Sequence, residues 1–358
     1  MTHRILLTVS GTMPPDVGRE VADGRRPEPD YVAMAAAMSA DLLDVGAARA
    51  AAPWLGKALQ RLGGAGLLLA WVCFRRRRRY DTIVTDGEQV GLPLAVLLSL
   101  PSRSAVRHAM IVHVLSPPKK AQLFGLLRLG RRIDLMIVYA SWQRTFITEQ
   151  LAYPADQVLL TPFMVDTRFF APERVASRRD RMICAAGLER RDYQTLMTAV
   201  DGLDVRVVIA AASPWSRRSD ETRGADLPGN VETCSLGFVD LRQLYADAEL
   251  VVMPLEDVDF QAGITTILEA MAMSKAVVCT RTRGQTDVVE DGVNGVYVPP
   301  GDAAALRTAI TDLLHDPRRA DELGRGGRAF VEANCDVHIY ADRLATAVAA
   351  ISTESRAR

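Results

Sequence analysis

The sequence has no surplus of charge: 43 Lys and Arg stand against 43 Asp and Glu over 358 residues. The chain as a whole therefore offers no electrostatic pull toward nucleic acid. It is also short of cysteine, with five residues at positions 73, 184, 234, 279 and 335. Lacking CxxC spacing, they build neither a zinc site nor a disulfide framework, and a reducing, cytoplasmic setting is expected. Long apolar runs are missing. The longest, Ala65–Phe74, is about half of the roughly 20 residues that cross a bilayer. The N-terminus MTHRILLTVSG lacks the regions of a signal peptide and reads as a strand feeding a loop.

Missing motifs narrow the chemistry. Neither GxGxxG nor GxxxxGK[ST] occurs, so nothing supports a nicotinamide or flavin enzyme or a P-loop phosphotransferase. HExxH and GxSxG are absent as well, which weakens hydrolase readings. No group of His, Cys and carboxylates has metal-ligand spacing. Phosphate chemistry in this chain would rest on arginines and helix N-termini.

What is present is a repeated alternation of short β-branched runs with longer helical stretches, the signature of βαβ units and parallel sheets. Arg4–Val9, Thr82–Thr85, Met110–Val114 and Leu135–Tyr139 read as strands, with helices at Tyr31–Leu43, Gly91–Leu100 and Ser141–Leu151. The pattern restarts at Met182–Ala186 and continues through Val205–Ala210, Leu250–Pro254 and Ala276–Thr280. The length suits two domains. Residues 1–166 form the first, the polar stretch 167–181 a linker, and 182–335 the second, with a terminal helix in 336–358. The expected fold class is α/β: two Rossmann-like, doubly wound domains, with ligands in a cleft at the carboxyl ends of their strands.

Charge is uneven along the chain. Residues 1–165 carry 20 basic against 13 acidic side chains, and the remainder 23 against 30. A basic first half suits an anionic partner such as phospholipid or a phosphorylated acceptor. The apolar stretch Trp54–Phe74 followed by Arg75–Arg79 is compatible with peripheral docking on an anionic membrane.

The segment richest in chemical meaning is Asp259–Lys275, DFQAGITTILEAMAMSK. Gly263 sits where a loop becomes a strongly helical stretch, so the backbone can approach a ligand closely. The first amides of that helix, around Ile264 and Thr265, lack intrahelical acceptors and form an anion site suited to a diphosphate. Glu269 lies four residues beyond Thr265, on the same face, where a carboxylate accepts hydrogen bonds from paired hydroxyls such as those of ribose.

This passage resembles the donor-binding domain of glycosyltransferase family 4, whose signature is E-x-F-G-x-x-x-x-E-A-M-A. Glu269, Ala270, Met271 and Ala272 match its second half. The resemblance gives Glu269 the contact with the nucleotide's ribose. Eight residues earlier the family has a second Glu, which touches the donor sugar, and here the position is Gln261. Upstream, MICAAGLERRDYQTLMTAV resembles the family's strand and basic loop, placing Arg191, with Arg190 beside it, at the donor diphosphate. SLGFVDLRQLYADAELVVMPLE resembles the base-reading segment, with Gly237 and Phe238 at the base. RTRGQTDVVEDGVNGVYVPPGD resembles a further stretch of the family and reads as architectural. In the first domain, His113 at the end of a strand corresponds to a histidine near the donor sugar's hydroxyls.

The resemblance implies the GT-B fold, with the terminal helix packing back toward the first domain. It also implies a retaining, metal-independent transfer from a UDP- or GDP-linked sugar. Catalysis would consist of stabilising the leaving diphosphate with Arg191, Arg190 and the amides near Ile264 and Thr265, without a protein nucleophile. The acceptor stays open between a glycan, a lipid-linked sugar and a small metabolite, and no nucleic acid is expected. Two other readings stay open from sequence: a non-catalytic GT-B subunit that binds nucleotide sugar, and a sugar-nucleotide epimerase.

Overall fold

The computed structural model describes residues 4–100, 105–178, 181–211 and 227–354. They fall into two compact units. One comprises the described residues up to Gly18, Pro29–Thr161 and the residues from His338 on; the other comprises Arg19–Glu28 and Pro162–Val337.

The first unit is built on a six-stranded parallel sheet. Its strands are β1 (Ile5–Thr8), β2 (Asp41–Leu43), β3 (Thr82–Asp86), β4 (Arg107–Ile111), β5 (Leu135–Val138) and β6 (Val158–Leu160), in the spatial order β2-β1-β3-β4-β5-β6. Ile5–Leu7, Ile83, Val84 and Met136–Val138 are buried, as strands covered on both faces must be. From His338 on, the helix Val337–Glu354 belongs to this unit, and the Tyr340 and Tyr139 hydroxyls lie 3.1 Å apart. Further along, Ser352 Oγ and Thr82 Oγ1 lie 2.6 Å apart.

The long helix Pro53–Arg76 is interrupted at Gly63 and Gly64, where φ and ψ leave the helical range and Gly64 takes φ +70°. Only glycine enters that region at little cost. Beyond the break, Leu68, Leu69, Ala70, Val72 and Cys73 are buried, whereas Trp54 is 90% and Leu62 82% exposed. Among the described residues no helix is long and apolar enough to cross a membrane.

The second unit carries β7 (Met182–Ala186), β8 (Arg206–Ala210), β9 (Val231–Cys234), β10 (Leu250–Met253), β11 (Ala276–Thr280) and β12 (Val296–Val298). Its order is β12-β11-β10-β7-β8-β9, again parallel throughout. In chain order this is the 3-2-1-4-5-6 arrangement of dinucleotide-binding sheets. Helices start on aspartates: Asp192 Oδ1 accepts from Thr195 N at 3.0 Å and Asp302 Oδ1 from Ala305 N at 2.8 Å.

Three elements differ from the sequence reading. Tyr31–Leu43, expected as one helix, is the helix Asp30–Met38 followed by β2. Ser39 turns the chain at φ 50°. The strand expected at Met110–Val114 is β4, three residues earlier, so His113 lies in the following loop. Of residues 167–181, read as a linker, the described ones belong to the second unit. Phe169 and Phe170 are 3% and 1% exposed within its core, because two adjacent aromatic rings are too apolar to remain in a solvated tether.

Candidate functional site

The order of the second sheet reverses between β7 and β10, and the loops leaving these two strands meet there. Asp192 N donates to Pro254 O at 3.1 Å and Glu256 N to Arg190 O at 3.1 Å. In open parallel sheets such a reversal, at the carboxyl ends of the strands, is where ligands bind.

The loop after β10 ends at Gly263 and enters the helix Ile264–Ala272. Gly263 has φ +76°, and a Cβ there would come within 2.7 Å of Met253 Sδ. Conformation and space thus both demand glycine. Ile267 N is the first amide to reach back, bonding Gly263 O at 3.1 Å. The amides of Ile264, Thr265 and Thr266 precede that bond, and no side chain caps this end. These amides and the positive end of the helix dipole form a site for an anion. The helix is anchored by burial of Ile264, Ile267, Leu268 and Met271. Thr265 faces solvent.

Glu269 is on this helix and only 7% exposed. Its Oε2 accepts from the Tyr245 hydroxyl at 2.9 Å. Burial pushes its pKa up to about 7, against the opposing effects of the Tyr245 hydrogen bond and the Arg191 charge. Tyr245 comes from the helix Phe238–Asp247 and is itself fully buried. Sequence reasoning did not single it out, since a tyrosine in a helical stretch between strands carries no signal of its own.

Both arginines expected at the diphosphate lie in the loop after β7. Arg191 is 8% exposed; its Nε donates to Ala186 O at 2.9 Å and its Nη1 to Glu189 O at 2.6 Å. Burial lowers its pKa from the usual arginine value, yet a guanidinium stays charged at neutral pH. Arg191 thus supplies a fixed positive charge beneath the loop. Arg190, at φ +56°, donates from Nη1 to Glu256 Oε2 at 2.9 Å.

Gln261, 9% exposed, has neither its Nε2 nor its Oε1 hydrogen-bonded. Two residues of the loop after β11 share this condition at one atom each: Thr282 Oγ1 and Gln285 Oε1, in side chains 2% and 0% exposed. A buried polar atom left unpaired costs about 1–3 kcal/mol, so these three side chains, with Arg190 Nε of the loop after β7 lacking a hydrogen bond as well, mark a place that a polar ligand or water completes.

Gly237 and Phe238 begin the helix Phe238–Asp247 and are both exposed, with the Arg26 guanidinium 5.5 Å from the Phe238 ring centre. His113 belongs to the first unit. Its Nε2 lies 3.1 Å from Asp86 Oδ1, and its backbone N donates to Glu88 Oε2 at 3.1 Å. Burial pulls the imidazole pKa down, but the Asp86 hydrogen bond and the charges of Asp86, Glu88 and Asp30 outweigh it and leave the pKa raised. Asp30 is pushed up to about 6 by burial and by the Asp86 charge. Asp30 and Asp86 stand far from His113 in sequence, and no spacing announces their meeting. Among the described residues no group of three or more His, Cys, Asp or Glu could hold a metal ion.

Two parallel six-stranded sheets, each flanked by helices, define the GT-B class. The sucrose-phosphate synthase of Thermosynechococcus elongatus has this fold. It superposes with a TM-score of 0.72 at 17% identity, over 98% of this chain and 100% of that one. A glycosyltransferase from Rickettsia africae gives 0.69 at 15% identity, over 99% and 98%. Residues 181–316 match the family Glycosyl transferases group 1. Among related sequences is the GDP-mannose-dependent alpha-(1-6)-phosphatidylinositol monomannoside mannosyltransferase of Mycolicibacterium smegmatis. It is 28% identical over 245 residues, or 62% of this chain and 63% of that protein. The alpha-D-kanosaminyltransferase of Streptomyces kanamyceticus is 31% identical over 147 residues, 40% of this chain and 37% of that protein. The chain thus aligns with less than two thirds of the length of these relatives.

Proposed function

We propose that the chain moves a glycosyl group from a nucleotide-diphosphate sugar to an acceptor hydroxyl, with retention at the anomeric carbon and without a metal. The observation that carries this reading is the uncapped start of the helix Ile264–Ala272 at the strand-order reversal, with the unpaired Gln261 two residues before Gly263. The diphosphate accepts from the amides of Ile264, Thr265 and Thr266, and Glu269 accepts from the ribose hydroxyls. As the bond from the anomeric carbon to the diphosphate breaks, charge grows on the leaving oxygen. Preset amides and the fixed Arg191 charge stabilise it without reorganisation. The acceptor oxygen bonds to the anomeric carbon from the same face, and its proton passes to a phosphate oxygen of the departing nucleotide.

Three relatives are named for GDP-mannose, so GDP-mannose heads the donor panel, followed by UDP-hexoses. The test is incubation with each donor in chelator, reading free nucleoside diphosphate, then proton NMR of the product's anomeric centre. Slow nucleotide release from one donor and an unchanged anomeric configuration are expected. Binding without release would make the chain a non-catalytic subunit, and inversion would overturn the mechanism.

The acceptor, on this reading, is a glycan, a lipid-linked sugar or a small metabolite met at an anionic membrane surface. Between Pro53 and Arg79 there are seven basic residues and no acidic one. Trp54, Trp71, Arg75, Arg76 and Arg79 line a cavity of about 590 Å³. An exposed Trp beside arginines suits the headgroup region. Sedimentation with anionic vesicles at moderate salt is expected, and its loss when Arg75–Arg79 become serine. Wild-type protein that never sediments sinks the membrane reading.

A further inference from the structure

The loop after β10 and the loop after β11 are built as one piece. Gln285 Nε2 donates to Ala262 O at 3.0 Å, and Gly284 N to Val258 O at 3.4 Å. A Cβ on Gly284 would lie 2.3 Å from Phe260 O, so only glycine allows the two backbones this close. Leu255 N donates to Thr280 Oγ1 at 3.0 Å, and the Tyr297 hydroxyl to Gln285 O at 2.7 Å. The result is a rigid double loop at the carboxyl ends of adjacent strands. The unpaired atoms of Gln261, Thr282 and Gln285 are its unsatisfied part.

Their chemistry selects a ligand class. A carboxamide offers a donor and an acceptor side by side, and a hydroxyl both donates and accepts. The three side chains therefore complement a sugar ring's hydroxyls and bring no charge of their own. The charged side chains of these loops are engaged or solvated: Glu256 with Arg190 at 2.9 Å, Arg283 with Asp259 at 3.5 Å, Arg281 exposed and 5.1 Å from the Tyr297 ring centre, and Asp257 and Asp287 exposed. A carboxylate placed against the trio would lose its water and gain no counter-ion from the trio itself.

We propose that Thr282 and Gln285, with Gln261, are specificity-determining residues that hold the glycosyl group of the donor and restrict it to uncharged, hydroxyl-bearing sugars. This rests on the donor-site reading above and adds to it a second loop and a substrate class.

The test is calorimetric titration of the full chain with UDP and GDP alone, to fix the base. The matched pair for that base follows: UDP-glucose against UDP-glucuronate, or GDP-mannose against GDP-mannuronate. Wild type is expected to bind the hexose form at least about tenfold tighter than the uronate form. Thr282→Val and Gln285→Met are each expected to weaken the hexose form about tenfold while leaving the bare nucleotide within about twofold. Equal binding of hexose and uronate forms overturns the inference and needs no variant, so a misfolded Gln285→Met leaves the outcome decisive. Unchanged hexose affinity in a folded Thr282→Val overturns it as well. If neither nucleotide binds wild type, the donor reading itself falls and this inference with it.

Discussion

Glu269→Gln keeps the outline of the side chain and removes its charge, and the two consequences run in opposite directions. Folding lifts this carboxyl from 4.5 to about 7, chiefly by burial. At 1.36 kcal/mol per unit, the ionised carboxylate costs the folded state about 3 kcal/mol relative to the protonated one. The sign follows from the raised value. Below pH 4.5 both states hold the proton and the full stability is present; it is lost as pH rises through about 7, and is level beyond. The glutamine variant has no such slope, yet its amide oxygen can still accept from the Tyr245 hydroxyl. Urea unfolding of both proteins at pH 5 and pH 8 should show the variant gaining about 2–3 kcal/mol on wild type between the two conditions. The reasoning is refuted if that difference changes by less than about 0.5 kcal/mol. In the same variant a hydrogen bond to a charged acceptor is weakened, at about 1.5–3 kcal/mol. Affinity for the bare nucleoside diphosphate should therefore fall by about tenfold or more. A variant more stable at pH 8 that binds nucleotide as well as wild type would remove Glu269 from the ribose.

Gly263→Ala forces a Cβ into a left-handed residue and against Met253 Sδ at 2.7 Å. About 1–3 kcal/mol of lost stability is expected, with nucleotide binding lost as the amides of Ile264 and Thr265 turn away; thermal unfolding with and without nucleotide reads both, and an unshifted midpoint contradicts it. In the first unit, Asp86→Asn removes the largest influence raising the His113 pKa and leaves only the charges of Glu88 and Asp30 to oppose burial. NMR titration should place the wild-type imidazole above 6.5 and the variant lower than wild type, and a shift under about 0.3 unit would be contrary evidence. His108, fully buried, is held down to about 4 by that burial. The stability it provides is present above 6.5 and lost as pH falls through 4, so acid unfolding should show that loss over this window and His108→Gln should lack it.

Much of the architecture could be read from the sequence because parallel strands buried on both faces appear as short β-branched runs, as in Met182–Ala186 and Ala276–Thr280. Gly263 and the helix after it were legible for the same reason, as a glycine breaking into ILEAMA. Asp41–Leu43 was not, since a three-residue strand adjoining a helix leaves no period to detect. His113 was displaced by two residues because β4 ends before its apolar run does, and Val112, 1% exposed, continues the core beyond the strand. The bonds of Arg191 and the pairing of Tyr245 with Glu269 depend on how the loops after β7 and β10 fold over each other. Thr282 and Gln285 looked architectural because turn glycines surround them, and only the unpaired atoms in the folded chain set them apart.

The ends of the second unit are stitched together: Val165 N donates to Cys335 O at 2.8 Å, and Val337 N to Val165 O at 3.0 Å. Topologically, Pro162–Val337 is therefore a cassette spliced into the first unit, and Arg19–Glu28 reaches the second unit by a separate excursion of the chain. The cassette's entry and exit already touch, so a few residues would close Pro162–Val337 into a ring, which would lack only Arg19–Glu28 of the unit. The first unit is the one that must wait. Its partners for Tyr139 and Thr82 arrive only with the helix Val337–Glu354, after the whole inserted cassette has been made.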